Sequence, residues 1–98
     1  MKVEYKSKSI ERVCTIASVA VKKHGQRMAD KIQQRIDEIT AADSIEEMIQ
    51  FQIGRCHPLH QNRKSQYAVD LVHPYRLVFE QRENQIHIVN IIEIVDYH

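Results

Sequence analysis

The chain has 98 residues, with 14 Lys and Arg against 13 Asp and Glu, a formal charge of +1, two Gly, two Pro and two Cys. That length fits one domain, 1–98, and a charge near zero excludes a protein that binds nucleic acid through a global basic field. Leu, Ile, Val and Phe supply 27 of the residues, above the roughly 20% below which disorder is expected, and two cysteines exclude a secreted disulfide framework.

Residues 3–6 alternate and read as a short first strand. Lys2, Lys6, Lys8 and Arg12 ahead of the apolar stretch 13–21 imitate the start of a secretory signal. Glu4 and Glu11 interrupt that basic run, and Ile10, Val13, Cys14, Ala17 and Val21 recur at helical spacing. The expectation is an amphipathic helix over residues 10–24 with Ser7 or Ser9 as its cap, in a cytoplasmic protein. No apolar run approaches the ~18 residues of a membrane span. Gly25 sits where a left-handed C-cap belongs. From Gln26 a second helix buries the stripe Ala29, Ile32, Ile36 and Ile39, so the two helices form an antiparallel hairpin. Ser44-Ile45-Glu46-Glu47 matches a capping box and opens a short third helix that ends near Ile49 or Gln50.

Past Gly54 the period changes to two. Tyr67, Val69 and Leu71 point one way, and Ala68, Asp70 and Val72 the other. Pro74 marks a turn into a strand over residues 76–81, and Arg82-Glu83-Asn84-Gln85 turns into the longest strand, residues 86–95. That last strand is apolar on both faces and is expected to be central. Short connections call for antiparallel neighbours. The order β-αα(α)-βββ implies an α+β fold, a twisted antiparallel sheet packed on a helical hairpin.

Charge is distributed unevenly. Between Glu47 and Asp70 no acid occurs, while Arg55, His57, His60, Arg63 and Lys64 do. Such a segment can hold phosphate oxygens, or it can be a solvated loop. Asp96, Tyr97 and His98 follow the longest strand; a carboxylate beside an imidazole can support proton transfer, although chain ends commonly fray. Arg76 suits either a surface pair with Glu80 or a fixed cation for developing phosphate charge. Tyr67 and Tyr75 could stack on a base or serve as core. His24, His73 and His87 are read as structural or solvated. Cys56-His57-x-x-His60 offers three metal ligands with Cys14 as a distant fourth, but lacks the second ligand pair of a zinc module.

Four segments together resemble the RelE/ParE-type toxins of toxin–antitoxin systems, in particular the HigB-like plasmid maintenance killer branch. They are Ile53-Gly54-Arg55-Cys56-His57-Pro58-Leu59, Gln66-Tyr67-Ala68-Val69-Asp70-Leu71, Pro74-Tyr75-Arg76-Leu77-Val78-Phe79 and Ile92-Glu93-Ile94-Val95-Asp96-Tyr97-His98. The resemblance implies a RelE-like fold and a metal-independent endoribonuclease (an mRNA interferase) without cofactor, cutting mRNA on the ribosome and so arresting translation. It implies catalytic roles for His57, Arg76, Asp96, Tyr97 and His98, and RNA or ribosome contacts from Arg55, His60, Arg63, Lys64 and Tyr67. One of His57 and His98 would take the 2′-hydroxyl proton and the other would protonate the leaving oxygen. It further implies a helix-turn-helix antitoxin as partner, a toxin that is monomeric when free and hetero-oligomeric with the antitoxin, and no membrane association. A ParE-like inhibitor of DNA gyrase, without nuclease chemistry, is the alternative on the same scaffold.

Overall fold

The computed structural model describes residues 1–60 and 64–96. Its elements in chain order are β1 (Lys2–Tyr5), α1 (Lys8–Thr15), α2 (Ala17–His24), α3 (Gln26–Ala41), α4 (Ile45–Gln50), a 3₁₀ turn (Ile53–Arg55), β2 (His57–Pro58), β3 (Gln66–Asp70), β4 (Tyr75–Arg82) and β5 (Gln85–Asp96). The strands form one five-stranded sheet in the order β1-β5-β4-β3-β2, giving the α+β class expected from the hydrophobic periods.

Three features depart from the sequence expectation. The helix anticipated over residues 10–24 is two helices, broken at Ile16, whose backbone is extended at φ −118°, ψ 106°. The break follows Val13 and Thr15, and the Thr15 hydroxyl donates to the Glu11 carbonyl at 2.7 Å, a bond that bends helices. The sheet is mixed rather than antiparallel throughout, because β1 runs parallel to β5 with Val3 opposite Val89. Nearly the whole chain separates those two strands, so no short connection constrains their direction. Finally, β2 is a strand of only two residues that alternation could not reveal.

Local signals explain the helix ends. The Ser7 hydroxyl accepts from the Ile10 N–H at 3.2 Å, and Ser44 accepts from Glu47 at 3.1 Å. Gly25, at φ 88° and ψ 167°, ends α2 through its N–H on the Val21 carbonyl and begins α3 by accepting from Ala29. It is thus a positive-φ residue with extended ψ rather than a left-handed cap. Ser44→Ala is expected to remove about 1 kcal/mol, seen as a lower urea midpoint at unchanged m-value.

The helices cover one face of the sheet. Ile32 and Ile39 of α3 and Met48 of α4 are essentially fully buried in one cluster with Val69, Leu77, Phe79, Val89 and Ile91. Val69 pairs with Leu77 and Tyr67 with Phe79, so these rows face the helices. The intervening rows, Asp70 with Arg76 and Ala68 with Val78, belong to the opposite face. The strand anticipated as central, β5, lies between β1 and β4. Among the described residues no helix is long and apolar enough to cross a membrane.

Candidate functional site

The site is built where β2 joins the sheet. Cys56 is buried in the core, so the next residue, His57, turns to the other face, where it pairs with Ala68. The backbone reaches β2 through three positive-φ residues: Gln52 at 56°, Gly54 at 59° and Arg55 at 55°. Only Gly54 among them is also short of space. A β-carbon there would stand 2.8 Å from Arg35 Nε and 3.1 Å from Val69 Cβ.

Arg35 explains that crowding. Its side chain, only 12% exposed, donates from Nε to the Asp70 carbonyl at 2.6 Å and from Nη1 to Glu38 Oε1 at 2.8 Å. The arginine thereby ties α3 to the last residue of β3 and to the turn before β2.

Asp70 lies between two more arginines. Its Oδ2 is 3.3 Å from Arg55 Nε and its Oδ1 is 3.3 Å from Arg76 Nε. His57 completes the group. Its Nδ1 donates to the Arg55 carbonyl at 2.8 Å, which places the ring proton on that nitrogen in the neutral form. The other nitrogen, Nε2, then carries the lone pair and lies 3.5 Å from Arg76 Nη1. A lone-pair nitrogen able to accept a proton therefore faces a guanidinium able to stabilise negative charge. The His57 row continues across the sheet as Ala68, Val78 and Glu93, and its two middle residues are small, apolar and fully buried.

The end of β5 adjoins this group, since Val95 pairs with Arg76. Asp96 pairs with Tyr75, in the rows that face the helices, and so lies on the face opposite Arg76. Arg63, Tyr97 and His98 lie outside the described residues. His60 and Lys64 are both exposed, and the Leu59 N–H donates to the Gln66 carbonyl at 2.9 Å.

Tyr67 does not join the site. It is stacked on Phe79 with ring centroids 6.0 Å apart, on the helix-covered face, and burial, then Glu46 and Cys56, push its phenol pKa up. Of the two roles open to it, core packing is the one that the stacking on Phe79 shows. Tyr75 meets His24 edge-on at 6.4 Å; burial first, then Lys23, lower the His24 pKa. His87 Nδ1 is 3.3 Å from the Asp43 carbonyl.

Alternation separates two ligands of the metal alternative. Cys56 and His57 are adjacent and face opposite sides, and no group of three His, Cys, Asp or Glu that could hold a metal ion occurs among the described residues. Burial pushes both the Cys14 and the Cys56 thiol up to about 12. Both thiols are protonated in either state below about pH 9, where their full contribution to stability is present. Between about 9 and about 12 the unfolded chain releases protons that the folded chain keeps. Stability is expected to fall there by about 1.4 kcal/mol per pH unit for each thiol. Urea unfolding at pH 8 and pH 10.5 checks this, with Cys14→Ala expected to lessen the loss.

Asp70 and Arg35 were not singled out by sequence. The available signal was the symmetry of Asp70 and Arg76 about the turn at residues 72–74, which pairs them in a tight hairpin.

No protein-family model and no curated protein matches the sequence. Among solved structures, one chain of the YoeB-YefM complex from Staphylococcus aureus matches at a TM-score of 0.64 with 19% identity, over 100% of this chain and 97% of that chain. From end to end, the chain shares its fold with that chain of the YoeB-YefM complex.

Proposed function

We propose that this protein is the toxin of a toxin–antitoxin pair, a RelE-superfamily endoribonuclease of the HigB-like branch that cuts mRNA on the ribosome. The observation that carries this reading is His57, its Nδ1 proton held by the Arg55 carbonyl and its Nε2 facing Arg76 at 3.5 Å. The shared fold with a toxin solved in complex with its antitoxin supports the toxin role and the expectation of an antitoxin partner. The HigB-like assignment rests on the order of the four sequence segments.

In this mechanism the phosphate draws Arg76 Nη1 away from His57 Nε2, and the freed lone pair removes the proton from a ribose 2′-hydroxyl, whose oxygen attacks the adjacent phosphorus. Arg76, with Arg55 beside it, stabilises the extra negative charge of the phosphorane, and His98 protonates the departing 5′-oxygen. The resemblance adds Asp96 as the residue that orients the His98 imidazole and Tyr97 as the one that positions the nucleotide. Arg63, Lys64 and His60 hold the RNA backbone. A placed acid or base contributes about 10²–10⁴-fold and a charge-stabilising donor about 10²–10³-fold. The ribosome presents the message and sets its register.

Two assays with the purified chain test this. Cleavage of mRNA in programmed ribosomes, with gyrase supercoiling unaffected, is the expected result. Inhibited supercoiling with intact mRNA would replace it with the gyrase reading.

A further inference from the structure

We infer that Asp70 is a positioning residue of this centre: its carboxylate holds the Arg55 and Arg76 guanidiniums where both reach one phosphodiester, and keeps Arg76 beside His57. The inference rests on the nuclease reading and deepens it.

The geometry is that of a bracket. One carboxylate oxygen takes Arg55 Nε and the other takes Arg76 Nε, each at 3.3 Å. Both arginines are thus engaged through the Nε edge, and an Nη group of Arg76 extends to His57 Nε2. Asp70 is itself fixed, because its carbonyl accepts from the largely buried Arg35 at 2.6 Å and Gly54 leaves room for that arginine. Its side chain is 26% exposed and that of Arg76 32%, whereas Arg55 is 79% exposed. An isolated exposed pair contributes little; here the pair is partly shielded and anchored from behind.

Charge gives the inference its distinctive consequence. The bracket itself, two guanidiniums and one carboxylate, carries one positive charge beside His57. Removing the carboxylate strengthens attraction for a phosphodiester already in the ground state. If attraction alone governed the rate, Asp70 would impede the reaction. Its benefit is therefore geometric, through orientation of Arg76 toward charge that develops later.

The test compares native protein, Asp70→Asn and Asp70→Glu on ribosome-bound mRNA. Asp70→Asn is expected to lower kcat at least tenfold with KM unchanged or lower, and Asp70→Glu to fall between it and the native chain. An Asp70→Asn protein with native kcat, or with a raised KM and unchanged kcat, overturns the inference. A measurement on the native chain covers the case in which the variants do not fold. The Arg76 Nε–H is expected as a resolved NMR signal protected from solvent exchange, and a signal averaged like those of surface arginines overturns the inference too. A native chain that leaves ribosomal mRNA whole refutes the nuclease reading instead, and is distinguishable because that NMR signal does not depend on activity.

Discussion

His57→Ala is expected to cut ribosome-bound mRNA about 10²–10⁴-fold more slowly than the native chain, the range of a lost general acid or base. The ring is half-exposed and sits on the two-residue strand β2, so its removal is expected to leave the unfolding midpoint close to native. His57→Gln sharpens the comparison, since it keeps a polar side chain of similar reach but cannot take up a proton at neutral pH. It should be as slow as His57→Ala. Arg76→Ala is expected to lose about 10²–10³-fold. Arg76→Lys recovers only part of that, because a point charge lacks the fork that meets Asp70 and a phosphate together. Gel analysis of a defined message under single-turnover conditions measures all four. A His57→Ala protein with the native rate would remove the proposed base.

Gly54→Ala carries the largest expected cost in stability. A left-handed φ of 59° is unfavourable for any residue with a β-carbon, and the added carbon would sit 2.8 Å from Arg35 Nε and 3.1 Å from Val69 Cβ. Arg35 can shift only by giving up its 2.6 Å bond to the Asp70 carbonyl. Backbone strain and overpacking together are expected to destabilise the fold by roughly 2–4 kcal/mol, read as a fall in urea midpoint. Cleavage by the folded fraction should fall as well, since the displaced Arg35 frees the bracket around Asp70. Gly25→Ala gives the opposite case: Gly25 has open space around it but a φ of 88° with ψ 167°, a region essentially restricted to glycine, so its cost is all backbone and none of it clash.

These residues also show how far the sequence alone could reach. The stripe Ala29, Ile32, Ile36 and Ile39 is buried as its spacing requires, because a helix pressed on a sheet repeats its contacts every three or four residues. The phase of β3 was equally plain. Tyr67 shares its phase with the buried Val69 and Leu71, and that phase places it against the core. Tertiary pairing of distant segments left no such trace. The parallel partnership of β1 with β5 and the two residues of β2 each depend on contacts outside their own stretch of chain. At the site, His57 and Arg76 stood out by their chemistry. Asp70 read only as the acid that ends a basic window, since its role comes from Arg55 and Arg76 converging on it in space.

The central claim is that an imidazole and a guanidinium drive a ribose hydroxyl onto its own phosphate. The chemistry of the cut ends tests it most directly. Messenger RNA recovered from programmed ribosomes should carry a 5′-hydroxyl on the downstream fragment and a 2′,3′-cyclic phosphate on the upstream one. The His57→Ala protein should yield those same ends far more slowly. A 5′-phosphate facing a 3′-hydroxyl would mean that water, not the sugar, attacked the phosphorus, and would contradict the mechanism.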